Sequence, residues 1–111
     1  MSHTTIQDGV LRAVTEDGAF RVVTVRTTDM AKRLIAAQKV SGKTAEQLVD
    51  LATAAVVVRE TMAPDYRLQA VLRSASDSMR MVADTHPDGG TRGIVSRKDP
   101  SQELDLRGGT L

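Results

Sequence analysis

Between Thr44 and Met62 the chain carries a helical run whose middle, Leu51-Ala52-Thr53-Ala54-Ala55-Val56-Val57-Val58, is small and apolar on nearly every face. A helix lying on a protein surface shows a polar stripe through such a stretch. This one needs cover on most sides, from its own fold or from a partner. Its small side chains let other backbones come close. Three consecutive valines make a strand the competing assignment for Ala55 to Val58. The length of the run favours helix, and so does its start. There Thr44-Ala45-Glu46-Gln47 fits a capping box, with Thr44 as N-cap and Gln47 at the third helical position. Pro64 cannot continue the helix and stops it near Met62.

The segments around this run read mostly as β. Asp8 to Thr15 is a strand, Glu16-Asp17-Gly18 a hairpin turn, and Ala19 to Arg26 a second strand rich in valine. The period then changes. Thr27-Thr28-Asp29 offers N-cap oxygens, and Met30, Leu34, Ile35 and Ala37 form the apolar stripe of a helix from Thr28 to Gln38. Ser41-Gly42 breaks it. After Pro64, alternation returns from Tyr66 to Arg73 and from Met79 to Asp84. Ser74 to Ser78 is a polar connection, His86-Pro87-Asp88-Gly89-Gly90 is a turn, and Gly93 to Ser96 is a last strand. The tail from Lys98 to Leu111 has only Leu104, Leu106 and Leu111 as large apolar residues. The order ββ-αα-βββ predicts an α+β fold. Its curved, mostly antiparallel sheet carries the helices packed on one side, in a single domain over residues 1–111.

Composition removes several function classes. The 111 residues carry 15 Lys+Arg against 14 Asp+Glu, a net charge of +1. A nucleic-acid-binding module carries a clear basic excess, so no nucleic-acid partner is expected. With no cysteine there is no disulfide scaffold, zinc-thiolate site or cysteine nucleophile in these residues. Phe20 and Tyr66 are the only aromatic residues, too few for base-stacking platforms or aromatic cages. No segment approaches the roughly 18 apolar residues that cross a bilayer. Met1-Ser2-His3-Thr4-Thr5 does not open a signal peptide. The expected compartment is the cytoplasm, with no membrane partner.

Candidate chemistry is sparse. Asp84, His86 and Asp88 stand at i, i+2 and i+4, a spacing open to a metal ion, but the same residues compose a tight turn, and the turn is the favoured assignment. Gly89-Gly90-Thr91-Arg92-Gly93 and Arg107-Gly108-Gly109-Thr110 match neither a P-loop nor a dinucleotide fingerprint. No serine sits in a nucleophile-elbow pattern. His3 lies near the terminus, and Glu16-Asp17 belongs to a turn. Met79 and Met81 share a strand face and read as core more than as a permissive binding surface. No catalytic, cofactor or metal residue is assigned, and no enzyme activity is expected.

Three stretches, in this order and spacing, resemble the N-terminal core of the 33-kDa redox-regulated heat-shock chaperonin (HslO) family. Ala19-Phe20-Arg21-Val22-Val23-Thr24-Val25-Arg26-Thr27-Thr28 is similar to the family strand that enters the first helix. Ala45-Glu46-Gln47-Leu48-Val49-Asp50-Leu51-Ala52-Thr53-Ala54-Ala55 resembles its buried helix. Tyr66 to Arg73, then Met81-Val82-Ala83-Asp84 and Thr91-Arg92-Gly93, resemble its later strands. The resemblance runs from about Gly9 to Leu106. Where the family has a Gly-Asp-Gly-Pro turn, this chain has Ser74-Ala75-Ser76-Asp77. The family's C-terminal zinc domain, with its four cysteine ligands, has no counterpart in these residues. A truncated or degenerate relative is therefore expected.

The resemblance implies an ATP-independent holdase that captures unfolded or aggregation-prone proteins on apolar surface, without the cysteine-zinc redox switch and without a cofactor. It also implies a homodimer. It assigns no client-binding position. The alternative is an assembly module that dimerises through its apolar helix and has no chaperone activity.

Overall fold

The computed structural model describes residues 7–74 and 78–98. Seven elements follow in the expected order. They are β1 (Gly9–Val14), β2 (Arg21–Arg26), α1 (Thr28–Gln38), α2 (Gly42–Glu60), β3 (Leu68–Arg73), β4 (Met79–Thr85) and β5 (Thr91–Arg97). Every strand pairing is antiparallel. The strands expected in one curved sheet fall into two: a β1-β2 hairpin, and a three-stranded sheet in the order β3-β4-β5. The α+β class is as expected.

The three-stranded sheet carries the core because β4 alternates strictly. Met79, Met81, Ala83 and Thr85 are buried on one face, and Arg80 is exposed on the other. Both helices cover the buried face, as expected. From α2 come Ala45, Leu48, Ala52 and Ala55, spaced at three and four residues, and from α1 comes Leu34. Gly93 on β5 makes this packing close. A Cβ there would meet Leu48 Cδ1 at 3.1 Å and Leu34 Cδ2 at 3.2 Å. Met79 and Met81 are core, the commoner fate for methionines at strand spacing.

Ala55 to Val58 is helical, so α2 wins over the strand alternative. Its burial is one-sided, however, and Ala54 and Val58 are exposed. The capping box at Thr44 does not form. The helix starts at Gly42 with Ser41 as N-cap, and Ala45 N–H bonds the Ser41 carbonyl. The chain reaches that start because Lys39, not Ser41-Gly42, ends α1, in the left-handed conformation (φ 52°). Val40 is then buried in the core, and Ser41 turns extended. Thr44 lies one turn inside the helix, buried, and its hydroxyl accepts a bond from Arg97 at 3.4 Å. At the other end, Thr61 and Met62 bond back three residues and tighten the last turn before Pro64.

The hairpin stands outside this core, and three polar contacts tie it to the helices. The Asp8 carboxylate accepts from the backbone N–H of Asp29 (3.1 Å) and Met30 (2.8 Å), and so caps α1 from a distance in sequence. Thr27, offered by the sequence as a cap, instead bonds the Thr53 hydroxyl of α2 at 2.8 Å. Arg12 pairs with Glu60 at the end of α2. Because Asp8 satisfies two otherwise orphaned donors, Asp8→Ala is expected to cost about 1 kcal/mol. Urea melts of the two chains, compared at one pH, check this.

Candidate functional site

In the β1-β2 ladder, directly opposed residues share a face. Gly9 faces Arg26, Leu11 faces Thr24, and Ala13 faces Val22. Phe20 continues that face one step beyond β2, because Thr15 N–H bonds the Phe20 carbonyl at 3.0 Å. The result is an apolar strip of Leu11, Ala13, Val22 and Phe20. It is open to solvent: Leu11 is 69% exposed and Phe20 72%. The opposite hairpin face holds Val10, Arg12, Val14, Val23 and Val25. Its β2 half is turned toward the helices, where Val23 and Val25 are half-buried, while Val10 and Val14 on β1 stay exposed.

The turn that holds the hairpin is built locally. The Asp17 carboxylate accepts from Thr15 Oγ1 (2.6 Å) and from the Ala19 N–H (2.9 Å), and both bonds hold it below the ordinary carboxylate value. Gly18 takes φ +73°. Glu16-Asp17-Gly18 is a turn, as expected.

A second apolar row crosses the outer face of the three-stranded sheet. Val71, Val82 and Ile94 are in register with one another, and Val71 and Ile94 are exposed. Rows of polar residues flank them: Gln69, Asp84 and Arg92 on one side, Arg73, Arg80 and Ser96 on the other.

Asp84 belongs to an ion pair. Arg67 grips it with two bonds, Nε to Oδ1 at 2.7 Å and Nη2 to Oδ2 at 2.8 Å. His86 Nε2 lies 3.6 Å from the same carboxylate. Asp88 does not join them, because it accepts from the Gly90 N–H at 2.8 Å inside the β4-β5 turn. Among the described residues no group of three metal-ligating side chains comes together. Gly89-Gly90 is part of that same turn, between two strands. His3 and the Arg107-Gly108-Gly109-Thr110 stretch lie outside the described residues.

Both polar anchors predict acid sensitivity. The Arg67 hydrogen bonds hold the Asp84 carboxyl below its ordinary value, against partial burial and with help from the charges of Arg67 and Arg92. At Asp8, burial acts upward but is outweighed by the Met30 and Asp29 amides and by Arg33 and Arg26. A carboxyl with a depressed folded value contributes stability that is complete above the ordinary value of 3.8. That stability is lost as the pH falls through the folded value. The melting temperature of the chain is therefore expected to fall on acidification below about pH 4. Asp84→Asn is expected to fall less steeply, and thermal melts across that range check the difference in slope.

Sequence reasoning missed the Asp8 cap and the Arg67–Asp84 pair. Their partners are 21, 22 and 17 residues apart, and no local motif marks them. It also assigned no client-binding role to Leu11, Ala13, Val22 or Phe20, although alternation in Leu11, Ala13 and Val22 was there to be found.

Among the described residues no helix is long and apolar enough to cross a membrane. Comparison with curated proteins and with solved structures returned no match. The family model described as "Hsp33 protein" matches residues 8–111, which includes every element from the hairpin through the last strand. With the order of elements and the three motif stretches in agreement, the chain belongs to the Hsp33 protein family.

Proposed function

We propose that this chain is an ATP-independent holdase whose client-binding surface is the outer hairpin face of Leu11, Ala13, Val22 and Phe20. Family membership gives a chaperone-related role; the holdase activity and its surface are our reading. The observation that carries it is a strip of large apolar side chains left open to solvent. Unfolding proteins expose apolar surface of their own, and covering both contributes roughly 25 cal/mol for each Å² removed from water. Such binding requires neither a catalytic residue nor a nucleotide. The row Val71, Val82 and Ile94 offers a second, smaller contact.

These 111 residues contain no cysteine, and we propose that the activity they carry does not depend on thiol oxidation and operates in the cytoplasm. We also propose that two copies associate, with the hairpin strip left free for clients. The competing assembly module relies on the apolar helix. That helix places Leu48, Ala52 and Ala55 against its own sheet and leaves Ala54 and Val58 exposed, a smaller apolar face than the hairpin strip, which favours the hairpin surface.

The test is an aggregation assay. A thermally unfolded client is diluted with and without the chain, without nucleotide, in peroxide and in reductant. Suppression of light scattering near equimolar ratio, equal in both conditions, is expected. A folded chain that leaves the scattering unchanged would remove the holdase and leave the assembly module.

A further inference from the structure

Between the inner hairpin face and the end of α2 lies a cleft of about 600 Å³, a size typical of small-ligand sites. Arg12, Arg21, Arg59 and Glu60 give it a polar wall, and residues such as Val23 and Met62 an apolar one. Arg59 is the unusual member. It is 4% exposed, yet its guanidinium donates from Nη1 to the Ala63 carbonyl at 3.0 Å and its Nε has no acceptor. Glu60 is engaged by Arg12. Among the described residues no carboxylate lies within ion-pair distance of Arg59 or Arg21. A guanidinium buried without an anion is costly to a fold, because its lost hydration is not replaced. An anionic group brought to this cleft would meet one buried and one exposed arginine, beside apolar wall.

We propose that the cleft binds a carboxylate carried on a short apolar chain, with Arg59 and Arg21 holding the carboxylate and the apolar wall taking the chain. A free medium-chain acid and the C-terminus of an apolar peptide share that chemistry. The site shares Ala13 with the outer hairpin strip and otherwise lies on the opposite face of the same two strands. Octanoate and inorganic phosphate distinguish an apolar-tailed ligand from a bare anion. An N-acetylated leucine tripeptide, with its C-terminus free or amidated, distinguishes the two sources of the carboxylate.

Titration calorimetry on the full chain is expected to show octanoate binding at least tenfold tighter than phosphate. Arg59→Met is expected to weaken octanoate at least tenfold, while its melting temperature without octanoate equals or exceeds that of the parent. Arg21→Gln, at an exposed position, is expected to weaken binding severalfold with no change in melting, and it decides the matter should Arg59→Met fail to fold. Tripeptide binding that requires the free C-terminus identifies a protein terminus as a ligand; binding of octanoate alone identifies a free acid. Four results would each overturn the proposal: no octanoate binding, phosphate as tight as octanoate, octanoate binding undiminished in the foldable variants, or equal binding of the amidated tripeptide.

Discussion

Leu48→Ala destabilises the chain by about 2–5 kcal/mol, enough to lower its melting temperature by ten degrees or more, as scanning calorimetry would record. Leu48 is 0% exposed and sits where α2, α1 and β5 converge. Its Cδ1 occupies the space that Gly93 leaves by having no side chain, and Leu34 fills the other side. Truncation removes the apolar transfer energy of the lost carbons and leaves a cavity that helix and sheet, held by their own hydrogen bonds, close only in part. In a chain of this size that loss is a large fraction of the whole stability. Val58→Ala, on the same helix at an exposed position, is the control and is expected to stay within about 0.5 kcal/mol of the parent.

Much of the architecture was legible because it rests on local periodicity. The alternation of Met79, Met81 and Ala83 with Arg80, Val82 and Asp84 predicts a half-buried strand, and β4 is one. The three- and four-residue spacing of Ala45, Leu48, Ala52 and Ala55 survives in α2 despite the valines that follow. The start of that helix was not legible. A left-handed Lys39 is unusual for a residue with a side chain, and it moved the N-cap from Thr44 to Ser41. The division into two sheets was equally hidden. Periodicity reports which face of a strand is buried and says nothing about which strands are neighbours.

The functional surface divides in the same way. The absence of cysteine and the scarcity of aromatic residues narrowed the chemistry expected of these residues. Leu11 and Phe20 looked like ordinary strand residues, and only the fold shows that nothing in the described chain covers them. Arg59 is a sharper case. In sequence it is a charged residue near the end of a helix, which the helix dipole would favour at the surface. In the fold it is buried beside the cleft.

Replacing Leu11 and Phe20 together with threonine is expected to remove most of the proposed capacity to suppress aggregation and to leave the fold intact. Threonine is β-branched and suits a strand, so the ladder persists. Both side chains are exposed, and their loss is expected to change stability by no more than about 0.5 kcal/mol each. Binding is affected far more. A leucine or phenylalanine fully covered by a client contributes roughly 1.5–3 kcal/mol. Half of the lower value, taken for both residues, already exceeds the 1.4 kcal/mol of a tenfold change in affinity.

The most direct measurement of whether this hairpin face captures unfolded proteins is therefore light scattering of a heat-unfolded client with the parent chain and with the Leu11→Thr, Phe20→Thr variant, both first shown to melt at the same temperature. The variant is expected to need at least ten times the parent's concentration to halve the scattering. Equal suppression by the two chains would contradict the assignment and place client binding elsewhere on the fold.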